Sequence, residues 1–307
     1  MILVKSVNIS LEKGTIKEAI PKILLDSKGV QGDAHSGSWH RQVSLLGTES
    51  FEKFSALAKR EIRYGEFAEN ITTEGEILYK MSPLDILSNK TIKLEITQIG
   101  KKCHGENCAI FKEVGNCVMP KEGIFARVLQ GGSMKAGDTL EYHPKEFKIV
   151  IITLSDRASK GEYKDISGEL INTRIKSHFE NKNRILKVER ILLPDEKTLL
   201  KKQFIKSLEE NADIIITTGG TGIGPRDIVP EVINPLLDKK IPGIMDMIRY
   251  KYGQQNPAAL LSRSVAGLKG KTLVFALPGS PLAVEEYLNE ILPVLDHAIL
   301  MVHGLGH

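Results

Sequence analysis

The sequence has few cysteines, few aromatic residues and no long apolar run, and each shortage excludes a class of protein. Three cysteines in 307 residues cannot form the disulfide framework of a secreted scaffold, so we expect reduced thiols and a cytoplasmic protein. A single tryptophan and 6% aromatic residues argue against a base-stacking surface for nucleic acid. No apolar run approaches the ~20 residues of a membrane helix, and the apolar start of the chain is too short for a signal peptide.

The charge and the length are those of an ordinary globular protein with two domains. The formal net charge of +4 is spread along the chain, which permits an anionic substrate but lacks the concentrated basic patch of a nucleic-acid-binding protein. A length of 307 residues suggests two domains of ~100–200 residues each. A break near Pro144 divides the chain into residues 1–143 and 147–307.

The two halves have different patterns. The second half alternates apolar strands with helices: strands are predicted at 147–154, 186–193, 214–216 and 271–277, and helices at 167–179, 196–210 and 282–301. This alternation indicates an α/β fold with a parallel sheet. The first half has short β-like pieces and frequent turns, with strands at 2–9, 42–46, 92–99 and 123–129 and one helix at 48–59. We interpret it as mainly β, either a barrel or a strongly curved sheet.

The most informative segment of the second half is residues 212–222, ADIIITTGGTG. Its three isoleucines predict a buried strand, which runs directly into hydroxyls and glycines. A loop of this kind at the carboxyl end of a parallel strand is where open α/β sheets bind ligands, and its N–H groups can cradle an anion. The alternative is a turn-rich connection that binds nothing.

Two further loops, 154–157 and 277–281, are predicted to meet the glycine loop at one edge of the sheet, since each follows an apolar strand. Asp195 and Asp227 are expected nearby, and two carboxylates facing phosphates suit Mg²⁺. The alternatives are that Asp195 caps a helix and that Asp227 pairs with Arg226. Ser280 is expected to cap the last helix.

Four motifs of the second half, SDRASKGEYKDISG, LPDE, TTGGTGIGPRDIVPE and LLSRSVAGLKGKTLVFALPGSPLAVEEYL, resemble those of the molybdopterin adenylyltransferase family. The resemblance covers about residues 147–304. It implies a three-layer α/β fold, a homotrimer, and transfer of AMP from ATP to the terminal phosphate of molybdopterin with Mg²⁺. Val229 departs from the family pattern, where threonine is usual, which puts the capping of the following helix in question.

The resemblance also implies the residues of the site and their partners. Asp195 and Asp227 match the acidic residues essential for catalysis and would hold Mg²⁺. The expected substrate- and nucleotide-binding residues are Ser155, Asp156, Thr217, Gly219, Gly220, Thr221, Gly222, Ser262, Arg263, Ser264, Pro278, Gly279 and Ser280. Molybdopterin and ATP are the expected ligands, a molybdopterin molybdotransferase is a further candidate partner, and neither nucleic acid nor a membrane is expected. Because residues 147–307 contain no cysteine, a thiol nucleophile is excluded there.

All three cysteines, Cys103, Cys108 and Cys117, lie within fifteen residues of the first half. A zinc site with His104 is one interpretation, although the spacing lacks the usual C-x₂-C knuckle; buried structural thiols are another. The motifs of residues 1–142 resemble the MOSC domain, named for the C-terminal region of molybdenum cofactor sulfurase. That resemblance implies a β-barrel-like fold that binds molybdenum cofactor, with Cys108 as sulfur carrier or molybdenum ligand. His35, Asn70 and Arg127 are candidate contacts for an anion or a pterin.

Together the two halves predict a bifunctional protein of molybdenum cofactor biosynthesis. The C-terminal half would adenylylate molybdopterin, and the N-terminal half would handle the cofactor or its sulfur. The alternatives are a non-catalytic carrier of molybdenum cofactor, which the two aspartates argue against, and a molybdenum-dependent oxidoreductase built on the MOSC half, which lacks a visible electron-transfer domain.

Overall fold

The computed structural model describes residues 1–101 and 118–306. The chain forms two compact units, Met1–Lys145 and Glu146–His307. No helix in the described part of the chain is long and apolar enough to cross a membrane.

The N-terminal unit is a closed β-barrel, which confirms the mainly β prediction. The barrel order is β1-β6-β5-β9-β8-β7-β11, and β11 pairs again with β1, where Ile2 lies opposite Leu140. Strand β2 extends from β1, and β10, β3 and β4 form a small second sheet. The strands are β1 (Ile2–Ile9), β2 (Glu18–Ile20), β3 (Ile23–Asp26), β4 (Gly29–Val30), β5 (Val43–Gly47), β6 (Ile71–Glu74), β7 (Ile86–Ser88), β8 (Lys93–Ile99), β9 (Ile124–Gln130), β10 (Gly132–Met134) and β11 (Thr139–His143).

Apolar side chains fill the barrel and also attach its one described α-helix. Ile2 and Val4 alternate with less buried neighbours along β1, as expected for a strand with one face on a core. Helix α1 (Thr48–Ala58) packs through Phe51 and Phe54, both of which meet the ring of Phe67 edge-on. A short 3-10 helix follows at Leu78–Lys80.

The C-terminal unit is built on a six-stranded sheet in the order β13-β12-β14-β17-β16-β15. Its strands are β12 (Glu146–Leu154), β13 (Ile185–Leu193), β14 (Ile214–Thr218), β15 (Lys239–Lys240), β16 (Val265–Lys269) and β17 (Thr272–Leu277). Strands β13, β12, β14 and β17 are parallel, whereas β16 runs antiparallel to both of its neighbours. The α/β prediction is confirmed, with parallel pairing in the centre and antiparallel pairing at one edge.

Helices cover both faces of this sheet. On one face Val150 and Ile152 of β12 share a core with Leu200 and Phe204. On the other, the ring of Phe147 lies 5.3 Å from that of a helical phenylalanine, Phe179. The α-helices are α2 (Asp156–Ser159), α3 (Ile166–Glu180), α4 (Lys197–Glu209), α5 (Val229–Ile233), α6 (Pro242–Gly253) and α7 (Pro281–Val302), with 3-10 helices at Asn234–Leu236 and Pro257–Leu261.

The last helix begins as the sequence predicts. Ser280 is the N-cap of α7, its hydroxyl accepts a hydrogen bond from the N–H of Ala283 at 3.2 Å, and Pro281 occupies the first helical position. The start of α7 is thereby fixed directly after β17, at the carboxyl edge of the parallel strands.

Candidate functional site

The three predicted loops come together around one cleft of about 950 Å³ at the carboxyl edge of the sheet. The sequence-predicted residues that line it are Ser155, Asp156, Asp195, Gly219, Gly220, Thr221, Gly222, Asp227, Ser262, Pro278, Gly279 and Ser280. Thr217, Arg263 and Ser264 do not line it.

The glycine loop has a backbone shape that only glycine adopts easily. Gly219 and Gly220 have φ values of 99° and 61°, in the left-handed region. A Cβ atom on Gly219 would lie 2.3 Å from the carbonyl oxygen of Leu154. The N–H groups of Gly220, Thr221 and Gly222 make no hydrogen bond to another described residue, so they are available to an anionic ligand.

Asp156 and Asp195 are joined by a reciprocal pair of hydrogen bonds. The N–H of Asp156 donates to Oδ2 of Asp195, and the N–H of Asp195 donates to Oδ1 of Asp156, both at 3.0 Å. Asp195 is therefore not a helix cap; Glu196 precedes α4 and makes no side-chain cap hydrogen bond. The pair ties the loop after β12 to the loop after β13.

Arg226 completes this cluster from the glycine-rich segment. Its Nε donates to Oδ2 of Asp156 at 3.0 Å, so it does not pair with Asp227, its neighbour in sequence. The guanidinium holds the pKa of Asp156 below its usual range. Burial raises the pKa of Asp195, and the charges of Asp156 and Asp227 also raise it. A cation or a hydrogen-bond donor of a ligand near Asp195 would offset the free-energy cost of keeping this carboxylate ionised.

Asp227 closes the glycine loop on itself. Its Oδ2 accepts the N–H of Gly224 at 2.7 Å, and its own N–H donates to the carbonyl of Gly224 at 3.0 Å. Helix α5 begins at Val229 with Ile228 as its N-cap, and no side chain caps it. A hydroxyl at 229 would therefore lie inside the helix rather than at the capping position.

Arg263 lies behind the glycine loop and positions it. Its backbone N–H donates to the carbonyl of Thr221 at 2.8 Å, Nε to that of Gly222 at 2.6 Å, and Nη2 to that of Asp227 at 2.8 Å. Its guanidinium also pairs with Glu231. These contacts turn the loop carbonyls toward Arg263, while the loop N–H groups keep no internal acceptor.

The hydroxyl groups of Ser262 and Tyr287 also line the cleft. The hydroxyls of Ser262 and Ser264 lie 2.8 Å apart, and Tyr287 donates to Ser262 at 2.9 Å. Ser264 is buried outside the cleft lining, and Thr217 is fully buried in β14.

Several lining residues were not predicted from the sequence: Arg157, Tyr163, Asn256, Glu286 and Tyr287. The hydroxyl of Tyr163 lies 2.7 Å from that of Ser155. Glu286 and Tyr287 follow the predicted start of α7 by one turn and more, so the helix prediction was the signal that could have found them. Tyr163 lies within the motif SDRASKGEYKDISG, which is the signal that could have found it, whereas Asn256 lies in a segment without a motif.

Of the residues predicted in the N-terminal unit, His35, Asn70 and Arg127 are described, and each makes its own contacts. Cys108 lies outside the described residues, as do Cys103, His104 and Cys117. Asn70 is buried and holds the backbone of β5 through Ser44, and Arg127 pairs with Glu95 on the neighbouring strand. His35 lies in a turn, where its N–H donates to Asp33.

Among residues 1–101 and 118–306, no cluster of three histidine, cysteine or acidic side chains has the geometry to hold a metal alone. A Mg²⁺ ion needs fewer protein ligands, because it is commonly held by one or two carboxylates together with substrate phosphates. Oδ1 of Asp195 and Oδ1 of Asp227 make no hydrogen bond to another described residue and are available for this.

Comparison with known proteins gives a match for each unit. A family model described as a probable molybdopterin binding domain matches residues 150–297, and the MOSC domain model matches residues 32–141. A molybdopterin adenylyltransferase of Helicobacter pylori is 35% identical over 157 residues, covering 51% of this chain and 88% of the relative. One of Pyrococcus furiosus is 37% identical over 164 residues, covering 50% of this chain and 93% of the relative. The crystal structure of the tungsten cofactor synthesizing protein MoaB from Pyrococcus furiosus is 34% identical with a TM-score of 0.46, covering 53% of this chain and 99% of that one.

Proposed function

The chain belongs to the molybdopterin adenylyltransferase family through its C-terminal unit and carries an N-terminal MOSC domain, and we propose that it is an enzyme of molybdenum cofactor biosynthesis. In this proposal the C-terminal unit transfers AMP from Mg-ATP to the terminal phosphate of molybdopterin.

The observation that carries the proposal is the convergence of Asp195, Asp227 and the unpaired N–H groups of residues 220–222 in one cleft. Acidic side chains alone would repel two polyanionic substrates. Oriented N–H groups attract phosphate oxygens and hold them next to the carboxylates. Neither feature is needed for a simple turn.

The reaction is one substitution at phosphorus. An oxygen of the molybdopterin phosphate attacks the α-phosphorus of ATP, a P–O bond forms, and the bond to the leaving pyrophosphate breaks. The chain supplies position and charge stabilisation: the glycine-loop N–H groups bind phosphate oxygens, and Arg263 keeps those groups in place. No covalent protein intermediate is needed.

Asp195 and Asp227 would hold Mg²⁺ together with oxygens of the nucleotide. Bound there, Mg²⁺ supplies positive charge that offsets the repulsion between the two substrates and the charge that develops on pyrophosphate. The raised pKa of Asp195 fits this assignment, because a half-buried carboxylate with like-charged neighbours is stabilised by a cation.

Ser262 and Tyr287 are proposed to form the pterin side of the cleft, with Ser264 behind them. Their hydroxyls form a continuous chain of hydrogen bonds, and such groups can accept from and donate to a pterin ring. Arg263 would act there through the glycine loop rather than by direct contact.

For the N-terminal unit we propose handling of the molybdenum cofactor or its sulfur through Cys108. The MOSC match supports this proposal. Single substitutions of Cys103, Cys108 and Cys117 by serine test it in the whole protein. Loss of bound molybdenum or persulfide only in Cys108→Ser is expected, whereas stoichiometric zinc lost equally in all three variants would indicate a zinc site.

A homotrimer is also proposed, together with a cytoplasmic location and a molybdopterin molybdotransferase as the enzyme that receives the product. An exposed apolar surface on α6 supports self-association. Met247 and Tyr250 lie three residues apart on one face of the helix, and the side chain of Leu260 lies beside the same helix at Gly253.

The activity is tested with the whole chain, Mg-ATP and molybdopterin. The expected products are pyrophosphate and adenylylated molybdopterin in equal amounts, identified by mass spectrometry. The carrier alternative predicts pterin binding without pyrophosphate release.

A further inference from the structure

Strand β13 (Ile185–Leu193) forms one edge of the sheet in the C-terminal unit, and its outer side is open. Its nine residues pair in parallel with β12 from end to end without a shift in register, and among the described strands β12 is its only partner. The outer side of such a strand presents backbone N–H and C=O groups with which another chain can pair. This edge is therefore a candidate interaction surface.

The two edges of this sheet differ in how well they are protected against pairing. Proteins keep edge strands from pairing by making them short, by placing lysine or proline on them, or by bulges. At the opposite edge, β15 consists of two exposed lysines, Lys239 and Lys240, and Pro242 follows. Strand β13 is nine residues long and contains neither proline nor glycine. Of the two edges, only β13 has the length and regularity that pairing with another strand requires.

The hydrogen bonds to β12 show which backbone groups of β13 point outward. The carbonyl of Leu193 accepts from the N–H of Ser155, which directly follows β12, at 2.9 Å. Leu193 therefore points its backbone groups toward β12, and every second residue back along the strand does the same. The backbone N–H and C=O groups of Leu186, Val188 and Arg190 consequently point away from the sheet.

Two opposite charges stand close together on this strand. Lys187 and Glu189 are two residues apart, so their side chains lie on the same face. In the described part of the chain neither of them forms an ion pair. Arg190, on the other face, is already engaged by Asp165 and Glu169. The spacing of Lys187 and Glu189 is one that a second, antiparallel copy of the strand would match with opposite sign.

We propose that β13 pairs antiparallel with β13 of a second copy of this chain, with Val188 on the two-fold axis. Val188 then lies opposite Val188 of the partner subunit, and Leu186 lies opposite Arg190 of the partner subunit. All of these residues have outward backbone groups, so each pair exchanges two hydrogen bonds. Lys187 faces Glu189 of the partner subunit, and the symmetry repeats this ion pair on the other side of the axis.

Other registers are less favourable than this one. An axis at Lys187 or Glu189 would place that charge directly opposite its own copy, which destabilises the pairing. An axis at any other residue of the strand leaves both charges opposite apolar residues or outside the paired segment. An axis between two residues would set outward backbone groups against groups already bonded to β12. The axis at Val188 is the one register that satisfies both the backbone and the charges.

This surface is separate from the cleft and from the apolar surface of α6, for which a trimer is proposed. With the trimer present, pairing of β13 joins two trimers; without it, pairing joins two chains. In either case loss of the pairing halves the mass of the assembly. The inference therefore goes beyond adenylyl transfer and stands or fails separately from it.

The contribution of the backbone is tested by Val188→Pro in the whole protein. Proline removes the outward N–H of residue 188, which the pairing with β12 does not use, so the edge strand should tolerate it. Light scattering after size-exclusion chromatography should show half of the wild-type mass. Lys202→Glu, at an exposed position of α4, is the control and should keep the wild-type mass.

The register is tested by reversing and then exchanging the two charges. Lys187→Glu and Glu189→Lys should each raise the dissociation constant of the pairing roughly tenfold or more, because both symmetry-related pairs become repulsive. Sedimentation velocity over a range of protein concentrations measures this constant. The double variant that carries both substitutions restores opposite charges and should associate within about threefold of the wild type.

Two results would overturn the proposal. One is a mass of folded Val188→Pro, checked by circular dichroism, equal to that of the wild type. The other is a double variant that associates no better than Lys187→Glu or Glu189→Lys, and this result decides the case even where Val188→Pro does not fold. Pyrophosphate release is not part of either readout, so a failure of the proposed adenylyl transfer leaves this test unaffected.

Discussion

Asp156 and Asp195 each donate a backbone N–H to the carboxylate of the other, with both N···O distances at 3.0 Å. The two residues follow neighbouring parallel strands, β12 and β13. The exchange fixes the orientation of the Asp195 carboxylate, whose Oδ1 then faces the glycine loop: a Cβ atom on Gly220 would lie 3.6 Å from it. Asp156 is therefore a positioning residue for Asp195.

Asp156→Ala should lower kcat for adenylyl transfer by roughly tenfold or more, because it removes the acceptor that orients the loop of Asp195 and releases Arg226. Asp156→Asn keeps Oδ1 as an acceptor and should recover part of the loss. Arg226→Gln is the matched control, since it breaks the ion pair and leaves the reciprocal bonds intact. Steady-state kinetics separate kcat from KM for ATP, and a wild-type kcat in Asp156→Ala would contradict the positioning role.

Gly220→Val should abolish binding of ATP and molybdopterin. The left-handed φ of 61° disfavours a β-branched residue, and the new side chain would meet Val229 at 3.0 Å. Gly270→Val is the control, because Gly270 has a similar φ of 58° with open space around it. Both variants should lose about 1–2 kcal/mol of stability from backbone strain, but only Gly220→Val should lose binding in calorimetry. Equal affinities in the two variants would mean that the loop is only a connection.

Glu69→Gln should stabilise the N-terminal unit above neutral pH. Burial raises the pKa of Glu69 to about 7, so the folded state holds a proton that the unfolded state releases near its ordinary pKa. The stabilisation from this group is complete at low pH and is lost as pH rises toward 7, by at most about 3 kcal/mol. Glutamine keeps the acceptor for Thr72 and cannot ionise.

Urea unfolding followed by Trp39 fluorescence reports on this unit alone. The wild type should become less stable from pH 5 to pH 8, relative to Glu69→Gln. Parallel pH dependence in the two proteins would show that Glu69 does not ionise in this range.

Tyr250→Glu should dissociate the proposed trimer, because it places a charge on the apolar surface of α6. The side chain of Tyr250 is 68% exposed in the single chain, so a charge there should leave the fold intact. Light scattering after size-exclusion chromatography should show one third of the wild-type mass. Lys251→Glu is unsuitable as a control because Lys251 forms an ion pair with Glu290; Lys201→Glu, at an exposed position of α4, is suitable. A wild-type mass of one chain would contradict the trimer itself.

The sequence predicts the meeting of the loops well because parallel strands present their carboxyl ends at one edge. Apolar runs mark those strands, and Ser280 with Pro281 marks the helix start. The sequence does not predict which charged side chains form ion pairs. Arg226 could have paired with its neighbour Asp227, and it pairs with Asp156, 70 residues away in sequence. Local spacing carries no information about such a contact.

The sequence also does not show in which direction a side chain points, or which distant strands pair to close a barrel. The motif that contains Arg263 predicts contact with the substrate. In the structure Arg263 instead donates hydrogen bonds to three backbone carbonyls of the glycine-rich segment, so it positions that segment. The pairing of Ile2 with Leu140, which closes the barrel, joins strands from opposite ends of the unit. Each strand can be predicted from its own residues, whereas the pairing between the two strands cannot.

The most direct test of the account is pyrophosphate release by the whole protein and its Asp227→Asn variant, with Mg-ATP and molybdopterin. Asparagine keeps the shape of the side chain and its acceptor for Gly224, so the loop should persist while the charge that would hold Mg²⁺ is lost. The account predicts molybdopterin-dependent pyrophosphate release by the wild type and a decrease of roughly a hundredfold or more in the variant, with unchanged melting temperature. Equal rates from the two proteins would contradict metal-assisted adenylyl transfer in this cleft.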